Sequence, residues 1–105
     1  MSVFTKQPGD VFDYDIDMSK WFADIPGDDI QSVAVSVSSD TEAVPSLVVG
    51  PPPHPQVMLI GSEPVRFKVW VGGGTNYNDY KVNCLVATEQ DRVKEVEFTI
   101  KVRDK

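Results

Sequence analysis

The sequence predicts an all-β fold, an antiparallel sandwich of about seven strands, from three observations. Apolar and polar residues alternate with a period of two in five stretches of the chain, the pattern of half-buried strands. Eight prolines and seven glycines punctuate these stretches, and abundant Val, Ile and Thr favour strands joined by turns over helices. With 105 residues the chain has the length of one domain, burying roughly 65% of its unfolded surface, enough for a single core without disulfides or a structural metal.

Residues 1–10 carry the turn signal Pro8-Gly9 and few apolar side chains, so they read as an N-terminal arm or an edge. The sandwich domain then spans residues 11–105. In residues 11–18, Asp13, Asp15 and Asp17 alternate with Tyr14, Ile16 and Met18, giving a strand with an acidic outer face. Trp21 and Phe22 follow in a stretch too short for a stable helix but able to plug one end of a core. After a turn at Pro26-Gly27-Asp28-Asp29, Val33, Val35 and Val37 mark one face of a strand over residues 30–38.

Leu47-Val48-Val49 and residues 57–60 are short apolar runs. Between them Gly50-Pro51-Pro52-Pro53-His54-Pro55 reads as a stiff, extended surface crossing, since each proline fixes φ and restrains its predecessor. Gly61-Ser62-Glu63-Pro64 turns into a strand over residues 65–71, with Val65, Phe67, Val69 and Val71 against Arg66, Lys68 and Trp70. Gly72-Gly73-Gly74 ends it. Tyr80, Val82, Cys84 and Val86 form the inward face of the next strand. A turn at Glu89-Gln90-Asp91 leads to the last, with Val96, Phe98, Ile100 and Val102 inward.

Sixteen acids against ten bases give a net charge of −6, which disfavours phosphate backbones and anionic membranes, so neither nucleic acid nor membrane is expected as a partner. The charge is uneven: residues 1–45 hold nine acids and two bases, residues 65–105 six acids and eight bases. A single cysteine, Cys84, and a single histidine, His54, cannot build a disulfide or a Cys/His metal cluster. No cofactor is expected. No basic start leads into an apolar h-region, and no apolar run approaches the ~20 residues of a membrane span. Synthesis and retention in the cytoplasm, unless the chain leaves within a particle, is the expectation.

Asp13, Asp15 and Asp17 superficially suggest a calcium loop, but the sixth and twelfth positions hold Met18 and Asp24 instead of glycine and glutamate. His54 lies between prolines, no Gly-x-Ser-x-Gly elbow is present, and Cys84 falls on an apolar face, so no catalytic residue is assigned. His54 reads as an exposed loop residue. Gly72-Gly73-Gly74 lacks the lysine of a phosphate loop. Trp70 shares a polar face with Arg66 and Lys68: either it is exposed for a partner contact, or its indole lies over neighbouring strands or is turned inward by a bulge.

The run Lys6-Gln7-Pro8-Gly9-Asp10-Val11-Phe12-Asp13-Tyr14-Asp15-Ile16-Asp17-Met18-Ser19-Lys20-Trp21-Phe22 resembles the Lys-x-Pro-x-x-x-Leu-Asp-Tyr-x-Ile-Asp-Trp-Ser-x-Trp-Leu opening of the fibre-tail adaptors of tailed bacteriophages. Val69-Trp70-Val71-Gly72-Gly73, Tyr80-Lys81-Val82 and Phe98-Thr99-Ile100-Lys101-Val102 are similar to later motifs of that family. Met18 stands where the family has Trp, and Asp91 where its last turn has Gly. The resemblance implies an immunoglobulin-like antiparallel β-sandwich of about seven strands. It also implies a non-enzymatic virion protein, present in several copies at the tail or neck, that joins tail fibres to the tail. Tyr80, two residues before inward Val82, stands where such a sandwich has its tyrosine corner. Contacts with other virion proteins are expected through the N-terminal arm, the acidic strand with Asp13, Asp15 and Asp17, and the face bearing Arg66, Lys68 and Trp70. A capsid decoration or head-completion protein, and a carbohydrate-binding module using Trp70 as a stacking platform, are the alternatives.

Overall fold

The computed structural model describes residues 2–59 and 65–104. Ile60 and the expected turn at residues 61–64 lie outside the described residues. Among the described residues eight strands, β1 (Ser2–Lys6), β2 (Phe12–Asp17), β3 (Ile30–Ser39), β4 (Leu47–Val49), β5 (Val57–Leu59), β6 (Arg66–Gly73), β7 (Asp79–Thr88) and β8 (Val93–Val102), form two sheets. Sheet A has the order β1-β8-β7-β3; sheet B has β6 at its centre, flanked by β2 and by β4 and β5. The fold is an all-β sandwich.

The strands form where the alternation is strongest, because each then has one face to bury. Tyr80, Val82, Cys84 and Val86 of β7 and Ile100 and Val102 of β8 are fully buried, facing Phe67, Val69 and Val71 of β6. One helical turn, α1 (Ser19–Phe22), closes an end of this core with Met18 and Phe22, and Trp21 meets Phe22 edge to face at 4.8 Å. A register shift between Ile30 and Ser32 lets Ile30 and Val33, three residues apart, both face inward.

The opening segment is an edge strand, not an arm. β1 pairs with β8 in parallel, Ser2 opposite Phe98 through Lys6 opposite Val102, so the sandwich is not wholly antiparallel and gains an eighth strand. Its few apolar residues suffice because β8 supplies the hydrogen-bond partners and Phe4 packs at 4.9 Å on Tyr14 and 5.6 Å on Phe98. Lys6 is 2% exposed. Its Nζ donates to the carbonyls of Gln7 at 2.6 Å and of Gly73 at 2.5 Å, tying sheet A to sheet B. Burial pushes the Lys6 ammonium below its ordinary pKa.

Two turn expectations also change. The strand expected to end at Val71 continues to Gly73, because β4 pairs Val48 with Gly72 and Leu47 with Gly73. The proline segment is not the extended surface crossing expected, because its two ends meet. β4 and β5 occupy the same edge of β6, and residues 50–56 leave and rejoin that edge at one residue. Gly50 N–H donates to the Trp70 carbonyl at 2.8 Å, and Trp70 N–H donates to the Gln56 carbonyl at 3.2 Å. The two ends of the loop come so close that a Cβ on Gly50 would lie 2.8 Å from the Gln56 nitrogen. The Val93 end of β8 is reached through a turn whose Asp91 has φ +65°, the left-handed conformation that glycine adopts most easily.

Candidate interaction face

β2 and β6 run antiparallel with Asp13 opposite Trp70, Asp15 opposite Lys68 and Asp17 opposite Arg66. The period of two sends all six of these side chains to the outer face of sheet B. The residues singled out from the two separate stretches of sequence therefore form one surface of three rows. Their ion pairs are diagonal to the rows: Lys68 Nζ lies 3.2 Å from Asp13 Oδ2, and the Arg66 guanidinium pairs with Asp15. The Lys68 hydrogen bond holds the Asp13 carboxyl below its ordinary pKa. Asp17 accepts the Ser19 N–H at 2.9 Å, which lowers its pKa likewise. Each member of the two ion pairs is about a third exposed, so the pairs set the shape of the face more than its stability.

Trp70 stays on this outer face, half-buried. It is covered by His54, whose ring stacks on the indole at 3.7 Å between centroids and 4° between planes. The loop folds back to make this contact: His54 N–H donates to the Pro51 carbonyl at 2.9 Å. Pro51 in turn lies over Gly72, where a Cβ would meet Pro51 Cγ at 3.1 Å and Val11 Cγ2 at 3.2 Å. His54 is thus half-buried, not the exposed loop residue expected, because the pinched neck at Gly50 and Gln56 directs the loop over β6. Among the described residues the Trp70 Nε1 has no hydrogen-bond partner. One half of the face is apolar, with Val11, Val48, Pro51 and the stacked rings; the other is the charged grid.

His54 and Pro51 were missed as members of this face. The sequence carries only part of their signal, a proline insertion set between two short apolar runs; that both runs pair with β6 emerges from the fold.

Elsewhere, hydrogen bonds from side chains tie loops to strands. Tyr80 Oη accepts the Thr75 N–H at 2.9 Å and donates to Glu42 Oε1 at 2.6 Å. Ser46 N–H and the Thr75 hydroxyl also donate to Glu42. These bonds, the Tyr80 hydroxyl first, hold the Glu42 carboxyl down at about 2. Burial pushes Asp28 up, but hydrogen bonds from Thr88, Arg92 and the Gln90 and Asp29 N–H groups outweigh it and leave its pKa lowered. Cys84 is fully buried and its thiol is pushed up to about 11 by burial, the condition of an inert core cysteine. Among the described residues no three His, Cys, Asp or Glu side chains gather as a metal site, and no helix is long and apolar enough to cross a membrane.

Residues 6–101 match the family described as podophage GP4 fiber-tail adaptor protein gp77. The chain belongs to that family. No curated protein matches it. The adaptor family's match begins at Lys6, the residue whose ammonium joins the two sheets, and takes in every residue of the outer face of sheet B described above.

Proposed function

We propose that this protein is a non-enzymatic component of a phage virion, an adaptor that joins tail fibres to the tail or neck through protein–protein contacts. The observation that carries the reading is the family match over residues 6–101. It acts in several copies on other virion proteins, without nucleic acid or membrane as a partner, and is made in the cytoplasm of the bacterial host. The net charge of −6 supports the exclusion of nucleic acid.

The framework of this reading is immunoglobulin-like. The groupings β2-β6-β4 and β3-β7-β8 correspond to the B-E-D and C-F-G strands of such a sandwich. The Tyr80 hydroxyl bound to the Thr75 N–H five residues upstream corresponds to a tyrosine corner. The outer face of sheet B is the docking surface: an aromatic stack beside a grid of ion pairs combines an apolar anchor with charges that select orientation. Because His54 takes one face of the indole, stacking by a sugar is disfavoured there.

Cryo-electron microscopy of the virion tests the assignment: density for this chain is expected at the tail or neck. Density on the capsid would make it a decoration or head-completion protein, and its absence from the particle would refute the adaptor role. Lys68→Glu combined with Trp70→Ala should leave a folded protein that yields particles lacking fibres.

A further inference from the structure

The four edges of the sandwich are not equally protected. β1 has five residues and turns Lys6 inward, β2 carries an aspartate at every second position, and β4 and β5 have three residues each. Short length and regular charge are the usual devices against strand addition. β3 has neither. Its ten residues, Ile-Gln-Ser-Val-Ala-Val-Ser-Val-Ser-Ser, contain no charge, no proline and no glycine, and among the described residues they pair only with β7. Among the described residues no backbone hydrogen bond reaches residues 30–39 from the other side.

Among the described residues the core is also incompletely covered along this edge. Val33, Val35 and Val37 are only half-buried, while Val86, Cys84 and Val82, their direct partners on β7, are fully covered. Leu59, at the end of β5, is 47% exposed although its register partner Phe67 is fully buried.

We infer that β3 pairs antiparallel with β3 of a second copy of this chain, about a two-fold axis through Val35. The strand is self-complementary in that register. Val35 faces Val35, Val33 faces Val37, Ser32 faces Ser38 and Ala34 faces Ser36, so valine meets valine on the inner face and small residues meet on the outer. The acids at its ends, Asp29 and Asp40, fall opposite Thr41 and Ile30, so no like charges are directly opposed. The contact is isologous, and it joins two copies of sheet A into one continuous sheet whose core face is completed by the six valines.

Sedimentation of the full chain over a concentration series tests this inference independently of where the protein sits in a virion. Doubling of the 11.6 kDa mass with concentration is expected, together with dimer-dependent hydrogen-exchange protection of the residue 32–38 amides. The outer-face variants A34K/S36K and A34E/S36E should each associate at least about tenfold more weakly, since like charges then face one another, and their mixture should recover the dimer. A wild-type chain that stays monomeric, a dimer indifferent to these substitutions, or exchange at β3 unchanged by concentration would overturn it.

Discussion

The two sheets are built on different terms. In sheet A, β7 and β8 run ten residues each in unbroken register, and the inward side chains from Tyr80 to Val86 and from Phe98 to Val102 are at most 1% exposed. In sheet B only β6 is long, and its β4–β5 edge is interrupted by the loop that folds onto Trp70. Both sheets bury their inner faces in one core, but sheet A does so with continuous ladders, whereas the interruption in sheet B supplies the rings and proline of the outer face. A surface feature was gained where the ladder was given up.

Substitutions can break or sharpen this contrast. Phe98→Ala, in the core face of sheet A, should cost about 3–5 kcal/mol in urea denaturation; a cost below about 1 kcal/mol would erase the distinction. Lys6→Ala should follow at about 2–3 kcal/mol, because the Gly73 and Gln7 carbonyls lose their donor between the sheets. Tyr80→Phe should cost about 1–2 kcal/mol and flatten the acid limb of stability. Glu42 falls from an ordinary 4.5 to about 2 in the fold, so its contribution is complete above pH 4.5 and lost as the pH drops toward 2. Measured stability against pH should therefore be less steep in that window once the Tyr80 hydroxyl is removed. His54→Ala, on the outer face of sheet B, should change stability by less than about 1 kcal/mol, yet shift Trp70 fluorescence to the red as water reaches the uncovered indole.

Much of this architecture was legible in the sequence because side-chain parity is a local property. Asp13, Asp15 and Asp17 could be placed on one face, and Arg66, Lys68 and Trp70 on another, without knowing that the two faces were one. That fact depends on β2 pairing with β6 across some fifty residues, and the diagonal Lys68–Asp13 and Arg66–Asp15 bridges depend on the register of that pairing. The opening residues read as an arm or an edge for the same reason: alone β1 has little to bury, and the partner β8 that makes it an edge lies at the other end of the chain. His54 reads as exposed in the sequence because proline stiffness implies reach, whereas Gly50 and Gln56 close the segment on itself. Cys84 and Tyr80 fell where parity put them.

The pinched neck at Gly50 and Gln56 has a consequence for how this scaffold can diversify. Both ends of residues 51–55 are anchored to the backbone of a single residue, Trp70, so lengthening, shortening or replacing the segment between them need not displace any strand. Grafts placed there would vary what the outer surface offers a neighbour while leaving the sandwich beneath it unaltered.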